Sequence, residues 1–203
     1  MSKTGIFSGT FDPVHAGHIT FALKALERAD LDQVVFIPES LPRRKDGVTH
    51  YAHRLRMLEL ALKPYTKLKI LELPDKQFSV QKTLPRLKKL YPKDELYMLM
   101  GSDMVDLLIS PRAAEQWPDL KRLLTTMKLI VAVRGKRIKE EHRQKIDMLS
   151  PGAITLASDK PLMSSRNIRE SLMRGRASRD VLPSINKYIK ENWLYASLVP
   201  NNS

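Results

Sequence analysis

The 203-residue chain carries 35 Lys and Arg against 22 Asp and Glu, a formal charge of +13, with 6% aromatic residues and no cysteine. That length is enough to bury a full core in one domain, and the missing thiols exclude disulfides, thiol nucleophiles and Cys-ligated metals. No apolar run approaches the ~20 residues of a membrane span, and Met1-Ser2-Lys3-Thr4 enters a strand without a signal-like segment, so a cytoplasmic protein that does not engage membranes is expected.

In chain order, Thr4–Phe7 reads as a strand feeding a helix over Gly17–Ala29, where Ile19, Ala22, Leu23 and Leu26 share one face. A second strand, Gln33–Ile37, leads into Pro38–His50, whose two prolines, Gly47 and Arg43-Arg44-Lys45 read as a mobile loop. A helix over Tyr51–Leu62, a strand over Leu68–Leu71, a helix over Val80–Tyr91 and a strand over Glu95–Met100 follow. Then come a helix over Ala113–Leu124, a strand over Leu129–Val133, a helix over Lys139–Asp147 and a strand over Ala153–Leu156. Helices over Asn167–Arg174 and Pro183–Asn192 close the series. This βαβ alternation predicts an α/β fold: a single doubly wound, mostly parallel sheet with helices on both faces. It occupies residues 1–199, with 160–199 a C-terminal helical part and 200–203 a frayed tail. Met98 and Met100, at alternate positions, read as strand core, and Trp117 and Trp193 as packing anchors.

Residues Gly5 to His18 are the most specific segment: an apolar strand, a turn of small residues through Gly9, Thr10 and Asp12, then His15 and His18 at a spacing of three. A Gly-rich turn lets backbone N–H groups approach an anion, and the following helix directs its positive end to the same place. Histidines three apart on a first turn share a face. Nearby polyphosphate favours the charged form of either imidazole. Gly101-Ser102-Asp103 also follows a strand, so both turns face one crevice beyond the strand carboxyl ends. Zinc would use a similar His pair, but no third ligand lies near, and no metal site is expected. The positive surface attracts polyanions in general. The basic stretches nevertheless lack the interleaved aromatics of a stacking platform, which argues against nucleic acid as the primary ligand.

The segment resembles the nucleotidyltransferases that carry a His-x-Gly-His motif, with the preceding Gly-x-Phe-x-Gly-Thr-Phe-Asp-Pro of their adenylyltransferase branch. With His53-Arg54-Leu55-Arg56-Met57-Leu58-Glu59-Leu60-Ala61, Gly101-Ser102-Asp103, Ser164-Ser165 with Ile168-Arg169, Leu182-Pro183, Tyr188-Ile189 and Leu194-Tyr195, it looks most like the bacterial nicotinate-mononucleotide adenylyltransferases. The resemblance covers nearly the whole chain. It implies a Rossmann-like fold and transfer of AMP from ATP to nicotinate mononucleotide in NAD biosynthesis, with Mg²⁺ carried in on the ATP. It also implies His15 and His18 on the ATP phosphates, Gly9, Thr10 and Phe11 approaching them through backbone, and Gly101 and Asp103 at the adenosine. For Asp103 a ribose-binding role stands beside a helix N-cap. Ser164, Ser165 and Arg169 match a second phosphate motif, for which a plain Ser cap is the alternative. Lys45 stands where the family has a flexible-loop lysine, an assignment blurred by Arg43 and Arg44.

The acceptor side departs from the family. Its Ser-Tyr-Thr-x-Asp-Thr-Leu motif reads Phe78-Ser79-Val80-Gln81-Lys82-Thr83-Leu84, its Trp beyond the Gly-x-Asp motif falls in Ile109-Ser110-Pro111-Arg112, and the Thr after Ser-Ser is Arg166. Candidate acceptor-binding residues are Phe78, Lys82, Thr83, Arg112 and Arg134, with Lys82, Arg112 or Arg166 available to a nicotinate carboxylate. Nicotinamide mononucleotide or another phosphorylated acceptor, and a basic nucleic-acid-binding module with a decayed site, are the alternative readings. Oligomeric state is open.

Overall fold

Six β-rich apolar stretches become strands: β1 (Lys3–Gly9), β2 (Gln33–Pro38), β3 (Leu68–Ile70), β4 (Glu95–Gly101), β5 (Met127–Arg134) and β6 (Ile154–Ser158). They pair throughout in parallel, in the order β3-β2-β1-β4-β5-β6. The central strands are apolar on both faces, as parallel strands covered by helices on both sides must be. The computed structural model describes residues 1–42, 47–110, 113, 117–134, 139–158 and 163–196, the side chains of Arg134, His142 and Ser158 excepted. Among these, the helices are α1 (Ala16–Arg28), α2 (Tyr51–Leu62), α3 (Thr83–Leu90), α4 (Ser102–Leu108), α5 (Leu120–Thr126), α6 (Glu140–Leu149), α7 (Ser165–Met173) and α8 (Pro183–Glu191). No helix among the described residues is long and apolar enough to cross a membrane.

The helices divide between the two faces of the sheet. Ile19, Ala22 and Ala25 of α1, Met57 and Leu58 of α2, Ile168 of α7 and Ile185 and Ile189 of α8 share one core with Phe7 and Phe36. Leu84 and Leu87 of α3, Val105 of α4, Leu123 of α5 and Ile146 of α6 share the other with Ile6, Met98 and Met100. From β1 the chain moves outward to β2 and β3, and from β4 outward the other way to β5 and β6. The order therefore reverses between β1 and β4, and the crevice beyond Gly9 and Gly101 is where an open α/β sheet receives ligands.

Four expectations are corrected. In α1 the buried face runs through Ile19, Phe21, Ala22 and Ala25, and Leu23 points outward. Helix α3 begins at Thr83, not Val80, because the Thr83 hydroxyl accepts the Ser79 N–H at 3.0 Å and holds residues 79–82 in a turn. Helix α4 was not among the expected elements; of the expected Ala113–Leu124 helix, residues 114–116 lie outside the described residues, Trp117–Asp119 form a bend and turn, and α5 takes up the end. Trp117 anchors the core beside Phe78, but Trp193 is 83% exposed and anchors nothing.

Candidate active site

At the end of β1 the backbone turns sharply, with Phe11 in the left-handed region at φ 50°. That turn drops the Phe11 ring into the core, edge-on to Phe7 and to His18. His15 caps α1 in extended backbone, and its N–H donates to His18 Nδ1 at 3.2 Å. The rings of the two histidines stack, 3.7 Å between centroids and 27° apart. Gly17 between them is required by contact: a Cβ there would lie about 3 Å from the His15 ring and from Met163 Sδ. Because His18 accepts at Nδ1, the proton of its neutral ring sits on Nε2, which makes that atom a donor.

His15 behaves differently. It is 6% exposed, and burial lowers its pKa from 6.5 to about 4, with the Asp180 charge opposing the shift. Without polyphosphate beside it, desolvation favours the neutral form of the His15 ring. The amides of α1 are also less open than the turn suggested. Ala16 N–H donates to Asp180 O at 2.8 Å and Gly17 N–H to Met163 Sδ at 2.9 Å, the latter a weak acceptor.

Around the histidines is a cleft of about 1020 Å³, at the upper end of the ~300–1,000 Å³ usual for small-molecule sites. Its walls bring together Gly9, Thr10, Phe11, His15, His18, Gly101, Asp103, Ser164, Ser165 and Arg169 from β1, α1, β4, α4 and α7. Asp103 is exposed in the first turn of α4, where the cap is Gly101; the Asp103 carboxylate folds back so closely that a Cβ on Gly101 would collide with it. Ser164 does cap α7, accepting Asn167 N–H at 3.1 Å, while Ser165 Oγ donates to Pro13 O at 3.0 Å. Arg169 Nη1 donates to Asp12 O at 2.6 Å. Lys24 also lines the cleft, its Nζ donating to Ala157 O at 3.2 Å at the end of β6.

The wall is held from behind by Arg54, which sequence reasoning noted only as part of a motif. Its guanidinium is 1% exposed and donates to Thr10 O (2.7 Å), Glu39 O (2.8 Å), Ser40 O (3.1 Å) and Thr49 O (2.8 Å). Burial pulls its pKa below the ordinary arginine value, and the Asp12 charge is the first to oppose this. The two described ends of the 38–50 loop are thereby tied to the turn after β1, while residues 43–46 of the segment expected to be mobile lie outside the described residues.

A family profile described as cytidylyltransferase-like matches residues 6–171. The nicotinate-nucleotide adenylyltransferase of Bacillus subtilis is 33% identical over 209 residues, covering 97% of this chain and 100% of that protein. The chain belongs to the nicotinate-nucleotide adenylyltransferase family. A probable nicotinate-nucleotide adenylyltransferase of Methylacidiphilum infernorum is likewise 33% identical, over 99% of this chain and 94% of its own. In fold, the family chain matches the Plasmodium falciparum nicotinic acid mononucleotide adenylyltransferase complexed with NaAD, at a TM-score of 0.77 and 20% identity over 96% of this chain and 98% of that one.

For this adenylyltransferase-family chain the cleft does not gather Phe78, Lys82 or Thr83, the acceptor candidates whose side chains are described. Phe78 is 3% exposed and packs in the core, its ring tilted 33° against Trp117 with centroids 5.8 Å apart. Thr83 is buried, donating to Asp75 Oδ2 at 3.1 Å, and Lys82 is exposed at the start of α3; none of the three lines the cleft. Arg134 ends β5 opposite Ser158, its side chain undescribed, while Lys45 and Arg112 lie outside the described residues. The 72–82 segment is instead fixed through backbone: Phe78 N–H donates to Glu39 Oε1 at 3.1 Å, and Ser8 Oγ to the same oxygen at 3.3 Å.

Proposed function

We propose that the chain transfers the adenylyl group of ATP to nicotinate mononucleotide, giving nicotinate adenine dinucleotide and pyrophosphate. The observation that carries this is the stacked His15–His18 pair at the N-terminus of α1, facing a cleft at the strand-order reversal, in a chain matched end to end by family members. A phosphate oxygen of the mononucleotide, already ionised at neutral pH, attacks the α-phosphorus of ATP. The bond to the β-phosphate oxygen breaks, and its electron pair leaves with pyrophosphate. No proton has to be removed from the nucleophile, so the chain's work is positioning and neutralising charge.

His18 Nε2–H and the Arg169 guanidinium donate to phosphate oxygens, and Asp103 accepts from ribose hydroxyls. The neutral His15 ring fixes the plane of His18 by stacking, and the flexible-loop lysine role falls to Lys45. Mg²⁺ arrives as part of MgATP and offsets charge on the phosphates. Of the acidic side chains that line the cleft, Asp12 is committed to protein partners, Glu170 accepts from Arg166 at 3.0 Å, and Asp103 is the one assigned here to the ribose.

The test offers MgATP with nicotinate mononucleotide, nicotinamide mononucleotide or other phosphorylated acceptors in turn and follows pyrophosphate. Release with nicotinate mononucleotide at the highest kcat/KM is expected. Preference for another acceptor overturns the substrate, and salt-sensitive RNA binding without release from any acceptor overturns the enzyme reading.

A further inference from the structure

Asp12 follows the phosphate turn and is 2% exposed, yet the proposed chemistry gives its carboxylate no step. Its neighbours come from three distant parts of the chain. Tyr195 OH donates to Oδ1 at 2.6 Å, Thr49 N–H donates to Oδ2 at 3.2 Å, and Arg169 Nη1 stands 3.9 Å from Oδ2 while donating to the Asp12 main-chain carbonyl at 2.6 Å. A short bond from a hydroxyl to a carboxylate is among the strong ones. Burial, and after it the Asp12 charge, push the Tyr195 phenol far above its ordinary pKa, so it remains a donor.

The position of Tyr195 is built, not incidental. After α8 the chain reverses through Trp193 and Tyr195, both left-handed at φ 53° and 59°, and Leu194 N–H donates back to Ile189 O at 3.0 Å. This closing turn returns the Tyr195 ring to the phosphate turn, 183 residues away in sequence.

A guanidinium beside a carboxylate prefers the bidentate fork, which would commit the Arg169 donors to Asp12 in place of a phosphate; here the pair is one long contact of 3.9 Å. Here Tyr195 and Thr49 each take one carboxylate oxygen, and Arg169 bonds the carbonyl instead, lining the cleft wall. We propose that Tyr195 is a positioning residue for nucleotide polyphosphate binding, occupying the Asp12 carboxylate so that Arg169 stays directed at the phosphates. The inference rests on the ATP site described above and adds a residue from the C-terminal turn.

The test measures MgATP affinity by calorimetry, without turnover, for the unaltered chain, Tyr195→Phe, Arg169→Ala and the double variant. Tyr195→Phe keeps the ring and removes one donor to a charged group, so it weakens MgATP binding about 10-fold. On the Arg169→Ala background the same change alters affinity by less than about twofold, because its effect passes through Arg169. As a second variant, Asp12→Asn removes the competing charge, and Tyr195→Phe added to it also has little further effect. A Tyr195→Phe affinity equal to that of the unaltered chain, or equal losses on all backgrounds, overturns the positioning role. Failure of the unaltered chain to bind MgATP overturns the ATP site itself, and is thereby distinguishable.

Discussion

The buried neutral His15 yields a quantitative prediction about pH. Its pKa falls from 6.5 to about 4 on folding, because burial removes water from the ring and only the Asp180 charge opposes it. A group depressed in this way contributes stability that is fully present above pH 6.5 and is lost as pH falls toward 4. With 1.36 kcal/mol per pKa unit, the whole loss is about 3 kcal/mol, and at pH 5 it is already about 2 kcal/mol. Carboxylates titrate over the same range, so the comparison is with His15→Gln, which shares them and carries no titrating ring. Urea unfolding of both proteins at pH 7.5 and pH 5 isolates the contribution: the unaltered chain should lose about 2 kcal/mol more than the variant. Parallel losses would refute the reasoning, as would a His15 ring that titrates near 6.5 by NMR.

Two further outcomes follow from the geometry. Arg54→Ala strips partners from four backbone oxygens, and at ~1.5 kcal/mol or more for each bond from a charged donor it costs ~6 kcal/mol, read as a fall in Tm of more than ~10 °C; Arg54→Lys, without the planar fork, falls between. His18→Ala retains the fold and loses at least ~100-fold in kcat, the size expected for a preorganised donor at developing charge; a rate within a few-fold of the unaltered chain sinks that role.

The sheet was legible because strands buried on both faces must be continuous apolar runs, and all six of those read from the chain are strands within three residues of their expected ends. Helix α2 was read to the residue, whereas α4, seven residues long and starting in Gly101-Ser102, offered too little periodicity to register. The His pair and its turn were legible since their spacing is local. What holds them was not: the stretch His53–Ala61 marks Arg54 only as part of a motif, and its partners lie up to 44 residues away. The Tyr195 contact to Asp12 spans 183 residues, and no periodicity encodes it. Phe78 illustrates the converse failure, an aromatic in a ligand-binding motif that packing against Trp117 has claimed.

Adenylyl transfer at the cleft beyond β1 and β4 is open to direct observation. ATP labelled at its α-phosphorus, incubated with Mg²⁺, nicotinate mononucleotide and the unaltered chain, measures it most directly. The label is predicted to appear in nicotinate adenine dinucleotide, one for one with unlabelled pyrophosphate. Label that stays in ATP, or leaves as AMP with no dinucleotide formed, would contradict it.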